Sequence, residues 1–256
     1  MVLPYFDLQV VTIGPLHIFV WGSFIAAGIG VFLWRAYALS AKYPKKFFER
    51  IVDVTTWMII GMFLCARLAH VFFYEPAFFA AHPLEIFMVW HGGLASTGGI
   101  FGAVVAALLY FRHFKLPILQ YADFICAAMP LGWVVGRIGC YVTHMHPGIL
   151  LGPHALLAVA YPDGPRADLG LYEAIAWLGI ALFVWVAHKK QHSPGFYVAS
   201  VAMLYGVIRF VLDFFRAQDV MMPDMRYAGL TPAQYAMIIL FFVGAALFTQ
   251  SKRVRS

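Results

Sequence analysis

Residues Leu131–Gly148 read LGWVVGRIGCYVTHMHPG, an apolar run that stops on an arginine framed by Gly136 and Gly139 and continues into two histidines. Hydrocarbon offers a guanidinium neither water nor a counter-ion, so an arginine near the end of an apolar span marks function by default. The flanking glycines let another backbone or a polar ligand come close. The plainer reading is that Arg137 snorkels to the membrane surface. Three further groups of charge arrive at the same level, and they favour a site.

The chain of 256 residues is 62% hydrophobic and 12% charged, with mean hydropathy +0.79. That excludes an ordinary soluble domain. Apolar runs of roughly 20 residues recur along the whole length, as membrane helices do. No soluble stretch can be separated, so a single integral membrane domain over 1–256 is expected. The first fifteen residues, MVLPYFDLQVVTIGP, contain no Lys or Arg. They lack the basic start of a cleavable signal peptide and are expected to stay. Cys65, Cys126 and Cys140 fall in or at the ends of apolar runs without CxxC spacing, which speaks against disulfide scaffolding and zinc.

The pattern predicts an all-α polytopic membrane protein of seven transmembrane helices, at about 15–38, 51–73, 93–112, 118–141, 169–188, 195–216 and 231–250. Twelve of the eighteen basic residues then fall on one side, in the loop after the first span, at the ends of the third and fifth, and in the tail. Arg166, Arg216 and Arg226 lie opposite, and Arg67, Arg137 and Arg209 lie within spans. The positive-inside rule puts the N-terminus outside and the C-terminus in the cytoplasm. The net charge of +6 is thereby a topology signal aided by anionic lipid, and nucleic acid is not expected as a partner.

This orientation brings the polar motifs to the external face. Arg67 and His70 (CARLAHVFFYEP) lie in the outer half of the second span, followed by an external loop with Glu75, His82, Glu85 and His91. The fourth span delivers Arg137, Cys140, His144 and His146, the fifth starts with Leu171-Tyr172-Glu173, and the sixth ends in YGVIRFVLDFFR. Arg209, Asp213 and Arg216 are spaced i, i+4 and i+7, on one helical face. Intramembrane charges with mutual partners are the pattern of a lipid-headgroup site.

Blander readings stand beside some of these motifs. In HGGLASTGGI and the FGAVVAA that follows, Gly98, Gly102 and Ala106 suit close helix packing, and HGG also suits a re-entrant loop. The HxH of His144 and His146 lacks a third ligand at a familiar spacing, so no metal and no cofactor are expected. Trp21, Trp34, Trp90, Trp177 and Trp185 read as interfacial belts.

At these residues the chain resembles the phosphatidylglycerol–prolipoprotein diacylglyceryl transferases. The resemblance runs through IGPLHIFVWGSFIAAGIG, PLEIFMVWHGGLASTGGIFGA, YADFICAAMPLGWVVGRIG, LYEA, LYGVIRFVLDFFR and GLTPAQYAMI. It implies seven membrane helices in a bacterial inner membrane, multi-pass, with the site facing outward. It also implies transfer of diacylglyceryl from phosphatidylglycerol to the lipobox cysteine of a prolipoprotein, with release of glycerol phosphate. The family's GRxG arginine corresponds to Arg137 and its later arginine to Arg209, with Arg216 and Tyr205 around it. Asp213 stands where the family has glutamate. Thr97 stands for a family histidine, Cys140 for an asparagine and Met145 for a glutamate. A divergent member serving another acceptor, or a phospholipid-binding protein without catalysis, are the alternatives.

The implied reaction needs a thiolate, since an unperturbed cysteine ionises at about pH 8.5, and stabilisation of the leaving phosphate. Arginine matches phosphate oxygens with a planar fork and a charge that does not titrate. A neutral histidine suits the general base. The candidate catalytic residues are Arg137, Arg209, His144, His146 and, as second choice for the base, His91. The candidate phospholipid-binding residues are Arg137, Arg209, Arg216, Tyr205, Gly98, Gly99, Glu173 and Arg67. Cys140 reads as a buried inert thiol in preference to an acyl carrier.

Overall fold

The computed structural model describes residues 2–6, 8–88, 92–220 and 225–253; His91 and Trp90 lie outside the described residues, as does the side chain of Thr97. Among the described residues there are eight α-helices: α1 (Val20–Ser40), α2 (Lys45–Phe73), α3 (Pro76–Ala81), α4 (Ser96–His113), α5 (Ile118–Val142), α6 (Leu169–Ala187), α7 (Phe196–Leu212) and α8 (Pro232–Arg253). Among the described residues six helices, α1, α2, α5, α6, α7 taken with the turn that follows it to Phe215, and α8, are long and apolar enough to cross a membrane, and the stretch Gly98–His113 of α4 is apolar but shorter. A 3-10 turn, Asp213–Phe215, prolongs α7.

The fold is mostly helical, and the all-α expectation needs one correction: among the described residues five strands form two small sheets. β1 (Val10–Ile13) and β2 (Leu16–Phe19) make an antiparallel hairpin with Val10 opposite Phe19. The first helix therefore begins at Val20, five residues later than the apolar run suggests. β3 (Pro147–Leu150), β4 (Ala158–Tyr161) and β5 (Gly164–Asp168) form a sheet in the order β3-β5-β4. The turn Pro162–Asp163 closes the β4–β5 hairpin, with Gly164 at a φ of 134° that glycine adopts without a steric penalty. These strands are four or five residues long and are punctuated by Gly and Pro. Their stability comes from pairing across the sheet, which leaves no periodic signal in the sequence.

The chain sorts into two compact units, Met1–Leu39 with Ala122–Ser256, and Ser40–Tyr121. In the second, α2 packs closely on α4. A Cβ on Gly61 would lie 2.7 Å from the Gly102 carbonyl oxygen and 2.8 Å from Ala106 Cβ, and one on Gly98 would meet Cys65 O at 2.5 Å. The small residues of α4 thus serve close helix approach.

In the first unit α1 meets α5 at Gly28 and Gly132, where a Cβ on Gly28 would lie 2.6 Å from the Gly132 oxygen. Gly139 faces Phe24 of α1, so a glycine beside Arg137 admits a helix. The core of this unit gathers Ala127, Trp177, Ile180, Val184 and Val201, with Trp133 and Tyr205 packed against it. Trp177, expected in an interfacial belt, is 2% exposed and belongs to this core. Trp34 and Trp185 do present their rings outward.

Candidate active site

The ends of α5 and α7 and the start of α6 bring five charged side chains into one layer. Arg137 Nη2 lies 2.9 Å from Glu173 Oε2, and Arg209 Nη1 lies 3.3 Å from Glu173 Oε1. Arg209 also pairs with Asp213 Oδ1 at 3.1 Å, and Arg216 Nε stands 3.7 Å from that same oxygen. Both carboxylates are buried. Three guanidiniums facing two carboxylates leave one unit of positive charge, in surroundings where charge interacts strongly. Arg209 Nη1 and Asp213 Oδ1 meet their partners as ions, without the alignment of a hydrogen bond. The Tyr205 hydroxyl reaches Glu173 Oε2 at 3.5 Å, and Cys140 Sγ lies 3.9 Å from Arg137 Nη1. Met145, where the family has glutamate, is half-exposed.

Asp213 is held from the start of α8. The Thr231 hydroxyl donates to Asp213 Oδ2 and accepts from the Gln234 N–H at 3.2 Å, while the Thr231 N–H donates to Gln234 Oε1 at 2.9 Å. This is a capping box with Pro232 at the first helical position. Gln234 Nε2 donates in turn to the Phe210 carbonyl at 3.1 Å, tying α8 to α7. Sequence reasoning passed over Thr231 and Gln234, although T-P-A-Q before an apolar run carries the signal.

The three-stranded sheet sets the far edge of the layer. Gly148 of β3 pairs antiparallel with Arg216, and the Ala217 N–H donates to the Pro147 carbonyl at 3.3 Å. Arg166, buried in β5, donates to the Gly148 carbonyl at 2.9 Å and forks onto Asp219 at 3.0 and 2.6 Å and onto Asp163 at 2.5–3.0 Å. Its hydrogen bonds first, and then its charge, hold both exposed carboxyls below the usual carboxylate range.

The two histidines of HxH part ways. His146, just before β3, is pushed down to about 3, first by burial and then by Arg137, Arg216 and Arg209. The imidazole is therefore neutral beside the three guanidiniums. His144 has both ring nitrogens engaged. Phe6 N–H donates to Nε2 at 3.1 Å, which places the ring proton on Nδ1, 2.8 Å from Asp168 Oδ2. Tyr5 stacks on the ring at a centroid distance of 4.2 Å, and Leu3 bridges to Val159 of β4. Asp168 also accepts from the Tyr161 hydroxyl and caps α6 through the Leu171 N–H. His144 thus joins the N-terminal segment, the sheet and the start of α6.

The remaining candidates, Arg67, Gly98 and Gly99, belong to the other unit. Buried Arg67 donates to five main-chain carbonyls, those of Glu85, Ile86, Met88, Gly92 and Gly93, with Phe79 against its face. An arginine has five N–H donors, and here each carbonyl pins the loop between α3 and α4. Gly98 and Gly99 face Cys65 and Met62 of α2. Among the described residues no group of three or more His, Cys, Asp or Glu side chains is placed to hold a metal ion.

A family model for prolipoprotein diacylglyceryl transferase matches residues 9–250, a range that contains the whole charged layer and its supports. The chain belongs to the prolipoprotein diacylglyceryl transferase family. It is similar to a phosphatidylglycerol–prolipoprotein diacylglyceryl transferase of Nitratidesulfovibrio vulgaris strain DP4, at 31% identity over 252 residues covering 95% of this chain and 94% of the relative. The like-named protein of Methylibium petroleiphilum is 31% identical over 263 residues, covering 99% of each chain. That of Bordetella parapertussis is 32% identical over 260 residues, covering 98% and 97%. The motifs GRIG, LYEA, RFVLDFFR and GLTPAQ meet in the buried layer of charge around Glu173 and Asp213.

Proposed function

We propose that the chain moves the diacylglyceryl group of phosphatidylglycerol onto the lipobox cysteine thiol of a prolipoprotein, releasing glycerol phosphate. The observation that carries this reading is the layer of Arg137, Arg209 and Arg216 around Glu173 and Asp213. Its surplus positive charge suits one phosphodiester, and the fixed forks suit the charge that grows on the leaving phosphate. The thiolate sulfur forms a bond to the terminal glyceryl carbon while the carbon–oxygen bond to phosphorus breaks, and glycerol phosphate departs with the electron pair. Arg137 and Arg209 hold the phosphate, Glu173 aims both forks with the Tyr205 hydroxyl beside it, and Arg216 holds the headgroup.

The thiol proton is the other requirement. His144, with both nitrogens occupied, serves as a strut in this reading. His146 is neutral at every physiological pH, which makes it a poor acceptor for the thiol proton; in this reading the arginine field lowers the thiol pKa so that the thiol ionises to solvent. His91 keeps its place as the second candidate for the base.

The same reading has seven spans with α4 as the seventh, since its 18 residues rise about 27 Å. It places the N-terminus outside, the C-terminus in the cytoplasm and the site at the external face of a bacterial inner membrane. Reporter fusions after Lys45 and Lys190 are expected to read cytoplasmic, and fusions near Ala80 and Asp163 external; a reversed pair would overturn it. The activity is tested by incubating purified protein with phosphatidylglycerol and a lipobox peptide. A thioether product supports the transfer. Glycerol phosphate without modified peptide indicates another acceptor, and lipid binding without turnover indicates a non-catalytic lipid-binding protein.

A further inference from the structure

One helical turn into the apolar core from three members of the charged layer, Arg137, Glu173 and Arg209, stands an aromatic residue. Trp133 precedes Arg137 by four positions on α5, Trp177 follows Glu173 by four on α6, and Tyr205 precedes Arg209 by four on α7. Residues four apart share a helix face, so the three rings form a second layer about 6 Å beyond the first. Trp133 and Trp177 stand 5.3 Å apart between centroids, and Trp177 and Tyr205 4.8 Å. Beyond them Ile180, Val184 and Val201 close the core.

This layer has an unmet need. Trp133 Nε1 and Trp177 Nε1 are buried without a hydrogen-bond partner among the described residues. A buried N–H with no acceptor carries its full desolvation penalty and calls for an explanation. The Tyr205 hydroxyl is directed to Glu173, so the two indoles hold the layer's unused donors.

We infer that the Trp133–Trp177 layer is a subsite for the fatty ester carbonyls of the lipid whose phosphate the arginines hold. The inference rests on the transferase reading for the position of that phosphate. Polar groups of a diacylglycerophospholipid come in a fixed order, phosphate first, then ester carbonyls, then hydrocarbon. The protein shows the matching order: guanidiniums, then indole N–H groups, then a packed apolar core. An ester carbonyl only accepts hydrogen bonds and an indole only donates them. Both nitrogens are enclosed in this structure, so seating the esters requires the indoles to turn within their layer.

The test compares phosphatidylglycerol carrying two ester-linked chains with its analogue carrying two ether-linked chains of equal length. Wild-type protein is expected to show a KM lower for the diester by roughly threefold to tenfold per donor, the range of one neutral hydrogen bond. Trp133→Phe and Trp177→Phe keep a ring and lose the N–H, and each is expected to shrink that ratio. Isotope-labelled indole N–H resonances of the unmutated protein are expected to shift with the diester and not with the diether. Wild-type protein indifferent to the linkage, resonances that move equally with both lipids, or variants that weaken both lipids in proportion would each overturn the subsite. Protein that transfers neither lipid to a thiol counts against the transferase reading; the resonances still decide this one.

Discussion

Gly148 and Arg216 lie opposite each other in an antiparallel bridge, so a strand from the loop after α5 fixes where the arginine after α7 enters the charged layer. A Cβ on Gly148 would lie 2.6 Å from the Phe215 carbonyl oxygen and 2.7 Å from that of Ala167. Both are main-chain atoms, which cannot swing aside as a flexible side chain can. Gly148→Ala is therefore expected to push the Arg216 segment away and to lower kcat/KM at least tenfold. Circular dichroism should show the helices intact; activity within twofold of wild type would mean that Arg216 is not placed by this bridge.

Glu173 is the anion between Arg137 and Arg209. Removing one member of a buried ion pair leaves the other uncompensated, at a cost on the order of 3 kcal/mol. Glu173→Gln is expected to melt well below wild type in detergent. Phosphatidylglycerol, whose phosphate supplies an anion to the same guanidiniums, should recover more of the melting temperature in the variant than it adds to wild type. Equal shifts in both proteins would argue that the phosphate binds elsewhere.

His144 is expected to matter for stability. Its alanine variant loses the Phe6 and Asp168 hydrogen bonds, and one unsatisfied buried group costs about 1–3 kcal/mol. Faster hydrogen exchange in residues 2–6 and a lower melting temperature should accompany a pH–rate profile of unchanged shape. A profile that loses a limb while the melting temperature stays put would make His144 a base after all.

His146 yields a pH prediction with a definite sign. Its folded pKa, about 3, lies below the ordinary 6.5, so the unfolded chain takes up a proton that the folded chain refuses. The contribution to stability is complete above pH 6.5 and drains away as pH falls from there towards 3. Wild type should lose melting temperature between pH 7 and pH 5, and His146→Gln should flatten that slope. In kcat/KM no limb is expected from His146 near 6.5; a rising limb there that vanishes in His146→Gln would contradict its neutrality.

The convergence of Arg137, Glu173, Arg209 and Arg216 was legible because charge in an apolar run is costly and stands out against its background. Helix positions were legible for the same reason: each of the six described helices long enough to cross a membrane overlaps an apolar stretch, with ends that differ by up to six residues. The capping box of Thr231 and Gln234 was written in the sequence too, as a local pattern.

Other roles rest on partners far apart in the chain. Arg67 resembles Arg137 in sequence, an arginine near the end of an apolar run, yet its guanidinium is taken up by five carbonyls of a following loop. Nothing in the residue types of that loop announces it, since every residue has a carbonyl. His144 and His146 are two positions apart, but one meets Phe6, 138 residues away, and the other faces guanidiniums from two helices and the turn beyond them. The sequence by itself determined which side chains had to find partners, because unpaired charge cannot remain in hydrocarbon. Only the tertiary structure decided which partner each one found, because main-chain carbonyls and sheet pairings at long range carry no residue-specific signature.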